Sequence, residues 1–404
     1  MATQAIEIPP HVDPATVRHV RLFDRFLSHE NPHETIVPEI HRGPAVFYAD
    51  NVMFQQPGWV VRRNADLRQI YADKEHFIKR ANSGFAALIG EDWNIIPTEL
   101  DPPAHTGFRT ALNPLFSPSR MMGLDAWVRD RSQQLIAGFK DKGECEFIRD
   151  FAEKFPITIF LELIGVPQDR LPELREWEHR LIHGTSVEMR TEAVRFVKAF
   201  IEETIAARKA NPGDDLLSQA MATEVDGRKW TDQELFGFGF NLFLGGLDTV
   251  TANIGLHFRH LATHPEDQET VQRNTPEQNV VAVEELLRAY AAVSTNRICS
   301  KQTEIGGHTI MPGDFVIMST PLAGRDPEAY ESPQEVRLDR RPTHVTLGTG
   351  FHRCLGQHLA RRELQAAVQE FTREIPAFEI EPGNKVSFLW SNVIQVPELP
   401  LSWS

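Results

Sequence analysis

Apolar positions recur mostly with helical spacing along this chain, and prolines and glycines divide the pattern into elements. The helix predicted over residues 231–263 begins with the capping-box sequence TDQE, and no proline follows before Pro265. At 1.5 Å per residue this helix would be roughly 50 Å long, enough to cross a whole domain. The other predicted helices cover residues 66–76, 118–211 (broken at its three internal prolines), 277–290 and 355–375.

Strand patterns are shorter and concentrate in three parts of the chain. Residues 58–61 have strand character, residues 304–319 resemble a hairpin that turns at 311–314, and the tail after residue 378 resembles short strands. We therefore expect a mainly α protein with a smaller β-rich lobe, drawn mainly from about residues 40–80, 300–320 and 378–404. No linker, low-complexity segment or internal repeat divides the sequence, so residues 1–404 are predicted to form a single domain.

The composition is that of an ordinary globular protein of 404 residues, 41% hydrophobic and 24% charged. A formal net charge of −14 disfavours nucleic-acid binding. The three cysteines, at positions 145, 299 and 354, match no disulfide or zinc pattern, so a reducing, cytoplasmic location is expected. The N-terminus has no signal-peptide core and no apolar run of membrane-spanning length, so no membrane association is expected.

Cys354 lies in the run LGTGFHRCLG at residues 347–356, directly before the predicted helix at 355–375. Gly350 and Gly356 would permit tight turns, and the amides and dipole at a helix N-terminus favour a thiolate. A lone cysteine is also commonly a small buried hydrophobe. The residues alone therefore leave two interpretations open, an inert core cysteine and a thiolate ligand or nucleophile.

Two helical patterns carry a similar ambiguity. The run LGGLDTV at 244–250 places two glycines inside the long helix, at about 1 kcal/mol each relative to alanine. They favour either close helix packing or a bare stretch of helix that a ligand can approach. Glu285 and Arg288, one turn apart, are either an ordinary exposed ion pair or a buried structural pair.

Together these motifs resemble the cytochrome P-450 superfamily of haem-thiolate monooxygenases, in its soluble bacterial form. The resemblance extends over the chain after about residue 50 and is greatest to the camphor 5-monooxygenase family. Shared runs are GGLDTV at 245–250, CLGQHLARRE at 354–363, and IPT at 96–98 before DPP at 101–103. One departure is Leu347, where the superfamily's cysteine loop begins with phenylalanine.

The resemblance implies that haem b (iron protoporphyrin IX) lies between the long central helix and the cysteine loop and helix, with Cys354 as the iron ligand. Thr249 would hydrogen-bond the bound O2, and Asp248 would feed protons to it. Glu285 and Arg288 would brace the core without taking part in catalysis. The residues that would hold the haem propionates are Arg109, Arg297 and His352, with His105 as a further candidate.

The same resemblance points to a hydrophobic substrate pocket. Trp93 stands where the camphor enzyme has a tyrosine that donates to the substrate ketone, and Asn241 replaces an apolar residue one turn before the glycines. These departures point away from camphor and towards another small terpenoid, such as an ionone-like norisoprenoid. Ordinary core packing is the alternative for each expected pocket residue, namely Phe85, Trp93, Asn241, Leu244, Val293 and Val393.

No flavin or ferredoxin segment is fused to the sequence, so the two electrons are expected from a [2Fe–2S] ferredoxin with an NAD(P)H-dependent reductase. An acidic partner of this kind would dock on basic residues near the thiolate face, with plain solvent exposure as the alternative. The candidates are Arg68, Arg109, Arg340, Arg341 and Arg353.

Two other functions remain open besides a monooxygenase. One is a haem-thiolate enzyme that uses peroxide without electron transfer. The other is a non-catalytic haem sensor or carrier. The acid–alcohol pair Asp248 and Thr249 favours the monooxygenase, because a peroxide-driven site often lacks it.

Overall fold

The computed structural model of the protein describes residues 8–20, 28–53, 56–79 and 83–404. The chain divides into two compact units. The first unit comprises Met1–Lys79, Gly255–Cys354 and Glu379–Leu399, and the second comprises Arg80–Ile254, Leu355–Phe378 and Pro400–Ser404. The expectation of a single domain over residues 1–404 stays a prediction.

Helices make up most of the described elements. In chain order they are α1 (Ile36–His41), α2 (Asn64–Ala72), α3 (Gly84–Leu88), α4 (Ala104–Leu112), α5 (Pro118–Met122), α6 (Asp125–Ala137), α7 (Lys154–Leu163), α8 (Leu171–His183), α9 (Val187–Ala210), α10 (Leu216–Ala222), α11 (Asp232–Gly246), α12 (Asp248–Thr263), α13 (Pro265–Arg273), α14 (Pro276–Ala289), α15 (Thr320–Gly324) and α16 (Gln357–Glu374).

The strands are short. They are β1 (Val17–Arg18), β2 (Ser28–His29), β3 (Val46–Val52), β4 (Gln56–Val61), β5 (Phe77–Ile78), β6 (Glu144–Glu146), β7 (Ser294–Cys299), β8 (Thr303–Ile305), β9 (His308–Ile310), β10 (Phe315–Ser319), β11 (Glu379–Ile380), β12 (Phe388–Trp390), β13 (Ile394–Gln395) and β14 (Pro400–Ser402). The predicted mainly α architecture with a smaller β-rich part is confirmed.

The first unit contains a six-stranded mixed sheet in the order β1-β3-β4-β10-β7-β5. Its inward side chains alternate along the strands, and Trp59, Val61, Val316 and Met318 are fully buried against the unit's core. The indole N–H of Trp59 donates to the Asp314 carboxylate at 3.0 Å, which satisfies the buried donor. This packed sheet fixes β7, the strand that carries Arg297.

The hairpin predicted at residues 304–319 is wrong in its turn and its partner. Strand β8 pairs with β9 across Gly306 and Gly307, which both have positive φ. Strand β10 pairs antiparallel with β7 and parallel with β4 instead. The Gly-Gly dipeptide is the stronger two-residue hairpin signal, and the Pro312-Gly313 turn only leads the chain into β10.

In the second unit, helices pack around aromatic side chains. Phe147, Phe151 and Phe155 stack in succession with ring centroids 5.4 and 5.3 Å apart. Phe371 of α16 meets Phe147 edge-on at 5.3 Å. Strand β14 closes on β6 with Leu401 opposite Cys145. This core anchors α16, the helix that follows the Cys354 loop in the chain.

The long helix predicted over residues 231–263 is two helices, α11 and α12, separated at Leu247, where φ is −102° and ψ is −77°. The capping box is present as predicted, with reciprocal bonds between Thr231 and Glu234. The stretch Asp232–Thr263 is long and apolar enough to cross a membrane by composition alone, but 61% of its most apolar window is buried inside the protein. Such burial is typical of a core helix.

Candidate functional site

Cys354 lies at the end of a tight loop in the first unit. Its backbone N–H donates to the carbonyl of Leu347 at 2.8 Å, and residues Gly350–His352 between them form a 3₁₀ turn. Gly350 has φ +65°, and a Cβ there would lie 2.4 Å from the carbonyl oxygen of Tyr71 on α2. The backbone hydrogen bond to Leu347 and the close approach of Gly350 to Tyr71 therefore help to fix the loop that carries Cys354, as a metal ligand requires.

The glycines of this loop that adopt a left-handed backbone are not the same two that the sequence analysis singled out. Gly348 is the second left-handed residue, with φ +69°. Gly356 has an ordinary φ of −81° and is the N-cap of α16, so its predicted role as a turn glycine is wrong. A Cβ at Gly356 would meet nothing within 4 Å. Its small size therefore keeps space open beside the start of the helix.

Two of the predicted propionate donors belong to the first unit. Arg297 on β7 is only 2% exposed, lies over the ring of Tyr71 at 5.6 Å, and donates from Nη1 to the Asn296 carbonyl at 2.8 Å. His352 is half-buried, with its ring 4.8 Å from that of Phe351. A guanidinium on β7 and an imidazole on the Cys354 loop are both suitable donors to a carboxylate.

The other two propionate candidates, His105 and Arg109, belong to helix α4 of the second unit. They are four residues apart, so they share one face of the helix. His105 is buried and Arg109 is half-buried. This face therefore presents two nitrogen donors in succession.

The helix break in the second unit exposes backbone beside the predicted acid–alcohol pair. A Cβ added at Gly245 or Gly246 would meet nothing within 4 Å. The hydroxyl of Thr249 donates to the Gly245 carbonyl at 2.9 Å, while Asn253 Nδ2 donates to the Thr249 carbonyl at 2.6 Å. The two glycines therefore do not serve to let a neighbouring helix pack closely. The structure favours the other interpretation, in which they leave open space beside the helix.

Asp248 lies in a cluster that the sequence did not reveal. Its carboxylate is 3.5 Å from Nε2 of His183, and Glu178 completes a group whose ligand atoms all lie within 4.8 Å of one another. Both partners lie on α8, more than sixty residues earlier in the chain. No local signal marks them, because their significance depends on α8 packing beside the start of α12.

Aromatic side chains form one part of the predicted pocket. The ring of Trp93 lies 4.8 Å from the rings of both Phe236 and Phe240, and Phe85 meets Phe240 at 5.5 Å. The indole N–H of Trp93 donates to Glu91 at 3.1 Å. Trp93 therefore offers its ring face to this part of the predicted pocket, while its N–H is directed to Glu91.

Asn241 is the polar residue among the predicted pocket residues, and it also belongs to the second unit. Its Oδ1 accepts from the Thr98 hydroxyl at 2.6 Å, a partner that the sequence analysis did not single out. Leu244 follows one turn later on α11 and is half-buried. The remaining two predicted pocket residues belong to the first unit, where Val293 and Val393 face each other across an antiparallel bridge.

Glu285 and Arg288 form a fully buried pair in the first unit. Two bonds of 2.7 and 2.8 Å join the guanidinium and the carboxylate. Arg288 also donates to backbone carbonyls at Gly324, Pro333 and Glu335. The pair therefore ties α14 to the loop that follows α15, which supports the predicted structural role.

The arginines predicted to dock a partner differ in their surroundings. Arg340 belongs to the buried network, with Nε 3.2 Å from Glu285, and its side chain is 9% exposed, so the structure does not present it for docking. Arg341 and Arg353 are exposed. Arg68 is half-buried and donates to the Thr343 carbonyl at 3.0 Å. A cavity of about 430 Å³ in the first unit is lined by Arg68, Arg337, Arg340 and Arg341, among other residues.

The donor set of the described residues fits haem b. The first unit offers a sulfur on a rigid loop and two nitrogen donors, at Arg297 and His352. The second unit offers His105 and Arg109 on one helix face, and open space over the glycines of α11. An axial sulfur, cationic donors for two propionates and an unobstructed helix surface are the features that this cofactor needs.

Comparison with known proteins agrees with this donor set. A family model described as "Cytochrome P450" matches residues 170–278 and 280–393. A probable cytochrome P450 127A1 of Sinorhizobium fredii is 38% identical, covering 98% of this chain and 97% of the relative. Cytochrome P450 107B1 of Saccharopolyspora erythraea is 32% identical, covering 79% and 82%.

Solved structures give the same result. The crystal structure of cytochrome P450 CYP101C1 has a TM-score of 0.88 and 32% identity, covering 98% of this chain and 100% of that one. That of CYP101J2 has a TM-score of 0.87 and 29% identity, with the same coverage.

Proposed function

Because this chain belongs to the cytochrome P450 family, as a monooxygenase of the soluble bacterial type that binds haem b through a cysteine thiolate, we propose that it hydroxylates a small terpenoid ketone of the ionone type. We further propose that its electrons come from a [2Fe–2S] ferredoxin and that it acts in the cytoplasm. The observation that carries the proposal is the Cys354 loop, whose backbone is fixed by the Cys354–Leu347 hydrogen bond and by the close approach of Gly350 to Tyr71.

When bound, haem b supplies the redox chemistry that activates O2 for insertion of one oxygen atom into a C–H bond. The chain's own residues hold and protect that chemistry. Cys354 provides the thiolate ligand. We assign the two propionates to donors at Arg297, His352, Arg109 and His105.

Asp248 and Thr249 are assigned to proton delivery. Asp248 is buried and next in sequence to the Thr249 hydroxyl, which is already oriented by its bond to Gly245. A positioned donor of this kind contributes about 10²–10⁴-fold to proton-transfer steps. The rings of Phe85 and Trp93, which both pack against Phe240, would form an apolar wall of the pocket.

The substrate proposal is supported by the polar pair Asn241 and Thr98. Since the Thr98 hydroxyl occupies Asn241 Oδ1, the amide's NH2 group is the donor offered to a ligand carbonyl. An apolar pocket with a single amide donor suits a small ketone with a hydrocarbon body. The substrate would therefore be oriented by Asn241 and not by Trp93.

The ferredoxin proposal rests on the exposed arginines Arg341 and Arg353, with Arg68 and Arg109 as half-buried members of the set. Arg68 and Arg341 line one cavity of the first unit, and on a protein of net charge −14 such arginines favour an acidic partner.

The proposed function is tested with isotopically labelled O2, NADH, a bacterial [2Fe–2S] ferredoxin with its reductase, and β-ionone. We expect a hydroxylated product that carries one labelled oxygen atom. Product formed only with added hydrogen peroxide, and none with ferredoxin and O2, would instead identify a peroxide-using enzyme.

Asn241→Leu tests the substrate anchor. Loss of one hydrogen bond should weaken β-ionone binding about tenfold, measured by the spin-state shift of the haem spectrum. A terpene hydrocarbon without a carbonyl is the matched ligand, and its affinity should be unchanged. Equal losses for both ligands would assign Asn241 to packing only.

A further inference from the structure

The cluster of Glu178, His183 and Asp248 connects a partly exposed imidazole to a buried acid. The His183 side chain is 24% exposed, whereas that of Asp248 is 8% exposed. Nε2 of His183 lies 3.5 Å from Oδ1 of Asp248. Catalytic hydrogen bonds are often this long in the absence of ligands and shorten in the working complex. The imidazole is therefore in position to link solvent with the buried carboxylate.

Glu178 adds a second acid to the same buried site. It is 9% exposed and within 4.8 Å of the ligand atoms of His183 and Asp248. Burial, and next the charge of the Asp248 carboxylate, raise the pKa of Glu178 well above its ordinary value. Two carboxyl groups this close in a buried site oppose each other's ionisation.

The other charged groups around the cluster do not reverse the rise in the pKa of Glu178. Glu153, which precedes α7, also raises the pKa of Glu178, and Arg175 on α8 lowers it. Arg175 is itself paired with Glu153 at 2.5 Å. His179, one turn before His183, is exposed, and its ring is tilted against that of His183 with centroids 5.2 Å apart. Arg175 thus shares its charge with Glu153, and its effect on the pKa of Glu178 is smaller than those of burial, Asp248 and Glu153.

We propose that His183 and Glu178 extend the proton path of Asp248 to solvent, so that α8 supplies the protons that the reaction consumes. A proton moves from Nε2 of His183 to Oδ1 of Asp248, breaking an N–H bond and forming an O–H bond. The imidazole regains a proton from water at its exposed side. Glu178 shares the proton held at Asp248, so a donor is always present when Asp248 passes its proton towards Thr249.

This proposal rests on the proposed function, because it assigns the consumer of the protons to the monooxygenase reaction. A bound metal ion is disfavoured at the same three residues. Metal ligands must be deprotonated, and burial beside Asp248 raises the pKa of Glu178, which opposes its use as a ligand.

Infrared spectroscopy of the haem-replete protein in water and in D2O tests the shared proton without measuring activity. We expect a D2O-sensitive stretch of a protonated carboxyl group at neutral pH that disappears in Glu178→Gln. It should persist in Glu176→Gln, the matched exposed glutamate on the same helix. Glu363, whose pKa is also raised by burial, provides a second band that neither variant should remove.

Asp248→Asn distinguishes sharing from mere burial. If Glu178 shares its proton with Asp248, the Glu178 band should shift in that variant. An unchanged band, or no band that depends on Glu178, would overturn the shared proton.

The proton path through His183 is tested by the rate of NADH-driven reduction of O2 through the ferredoxin, with β-ionone as the probe. This rate reports on proton delivery because protons are consumed whether or not β-ionone is oxidised. His183→Gln should lower the rate about tenfold and increase the solvent isotope effect. His179→Gln, one turn earlier, should stay within about twofold of the parent, a change too small for loss of a proton donor. Thr249→Ala serves as the benchmark for lost proton control, with more hydrogen peroxide per NADH.

The two proposals fail in different ways. If the parent protein shows no thiolate spectrum, the proposed function is wrong. The infrared bands would still show whether Glu178 and Asp248 share a proton. If the parent is active and His183→Gln matches His179→Gln, the proton path is wrong while the monooxygenase stands.

Discussion

Gly350 combines a left-handed backbone with a contact that leaves no room for a side chain. Its φ is +65°, and a Cβ would lie 2.4 Å from the Tyr71 carbonyl oxygen. The left-handed conformation costs about 1–2 kcal/mol for alanine, and the forced shift adds about 1–3 kcal/mol. Gly350→Ala should therefore lower the free energy of unfolding by about 3 kcal/mol, measured by urea denaturation of the haem-replete protein.

Gly383 supplies the control for this prediction. It has φ +89°, but a Cβ there would meet nothing within 4 Å. Gly383→Ala should cost only the conformational part, about 1 kcal/mol. Equal losses in the two variants would show that the contact with Tyr71 does not hold the cysteine loop.

At the scale of single residues, a motif identified the Cys354 loop and the buried Glu285–Arg288 pair. It could not identify partners that come from distant parts of the chain. The sequence did not reveal that the Trp93 N–H donates to Glu91, which is itself paired with Lys198. His183 and Glu178 look like ordinary helix residues until α8 packs beside Asp248.

The helix α14 depends on an ion pair that is completely buried. Glu285 accepts from Arg288 and from the backbone N–H of Arg337. Glu285→Gln would leave the guanidinium of Arg288 buried without its charge partner, which costs about 3–5 kcal/mol. Thermal or urea unfolding should show this loss, and the α14 region should lose protection from hydrogen exchange.

An exposed ion pair on a neighbouring helix is the matched control. Glu269 and Arg273 on α13 are 56% and 75% exposed. Glu269→Gln should change stability by no more than about 0.5 kcal/mol. If Glu285→Gln were equally mild, the pair would not be the brace of this region.

At the scale of elements, local sequence signals predicted whether a segment is helix or strand better than they predicted where it breaks or which strand it pairs with. The Thr231 capping box marked a helix start correctly. The break at Leu247 was missed because glycines permit a distortion without dictating one. The β8–β9 hairpin was misplaced because the partner of β10 is chosen by burial in the six-stranded sheet and not by the nearest turn.

The protein as a whole should be sensitive to acid through its buried histidines. Burial, aided by the charge of Arg325 for His33 and of His260 for His257, lowers the pKa of each to about 3. The unfolded chain binds protons below about pH 6.5, where the folded protein still excludes them. Stability therefore falls from about pH 6.5 towards pH 3, by about 2 kcal/mol per histidine at pH 5.

Glu363 changes the free energy of unfolding with pH in the opposite direction to the histidines. The effect of the histidines is therefore tested by comparing a variant with the parent. Burial raises the pKa of Glu363, so the folded state gains stability as the pH falls through that value. His257→Gln should make the decline in unfolding free energy between pH 6.5 and pH 5 less steep. A pH dependence identical to that of the parent would contradict the neutral, buried state of His257.

The fold class of the whole molecule was predictable, since helical periodicity and short strand patterns both survive in the described residues. The division into two units was not, because each unit is assembled from three separate stretches of chain. Composition and periodicity act locally and carry no information about which stretches come together.

The central claim is that Cys354 is the thiolate ligand of a haem. Burial raises the pKa of Cys145 to about 12 and that of Cys299 to about 11, so both remain thiols at neutral pH. The most direct measurement is the absorption spectrum of the reduced, haem-replete protein under carbon monoxide. The parent, Cys145→Ser and Cys299→Ser should all show the Soret band of a thiolate-ligated haem, and Cys354→Ser should lose it. A parent without that band, or a Cys354→Ser protein that keeps it, would contradict the account.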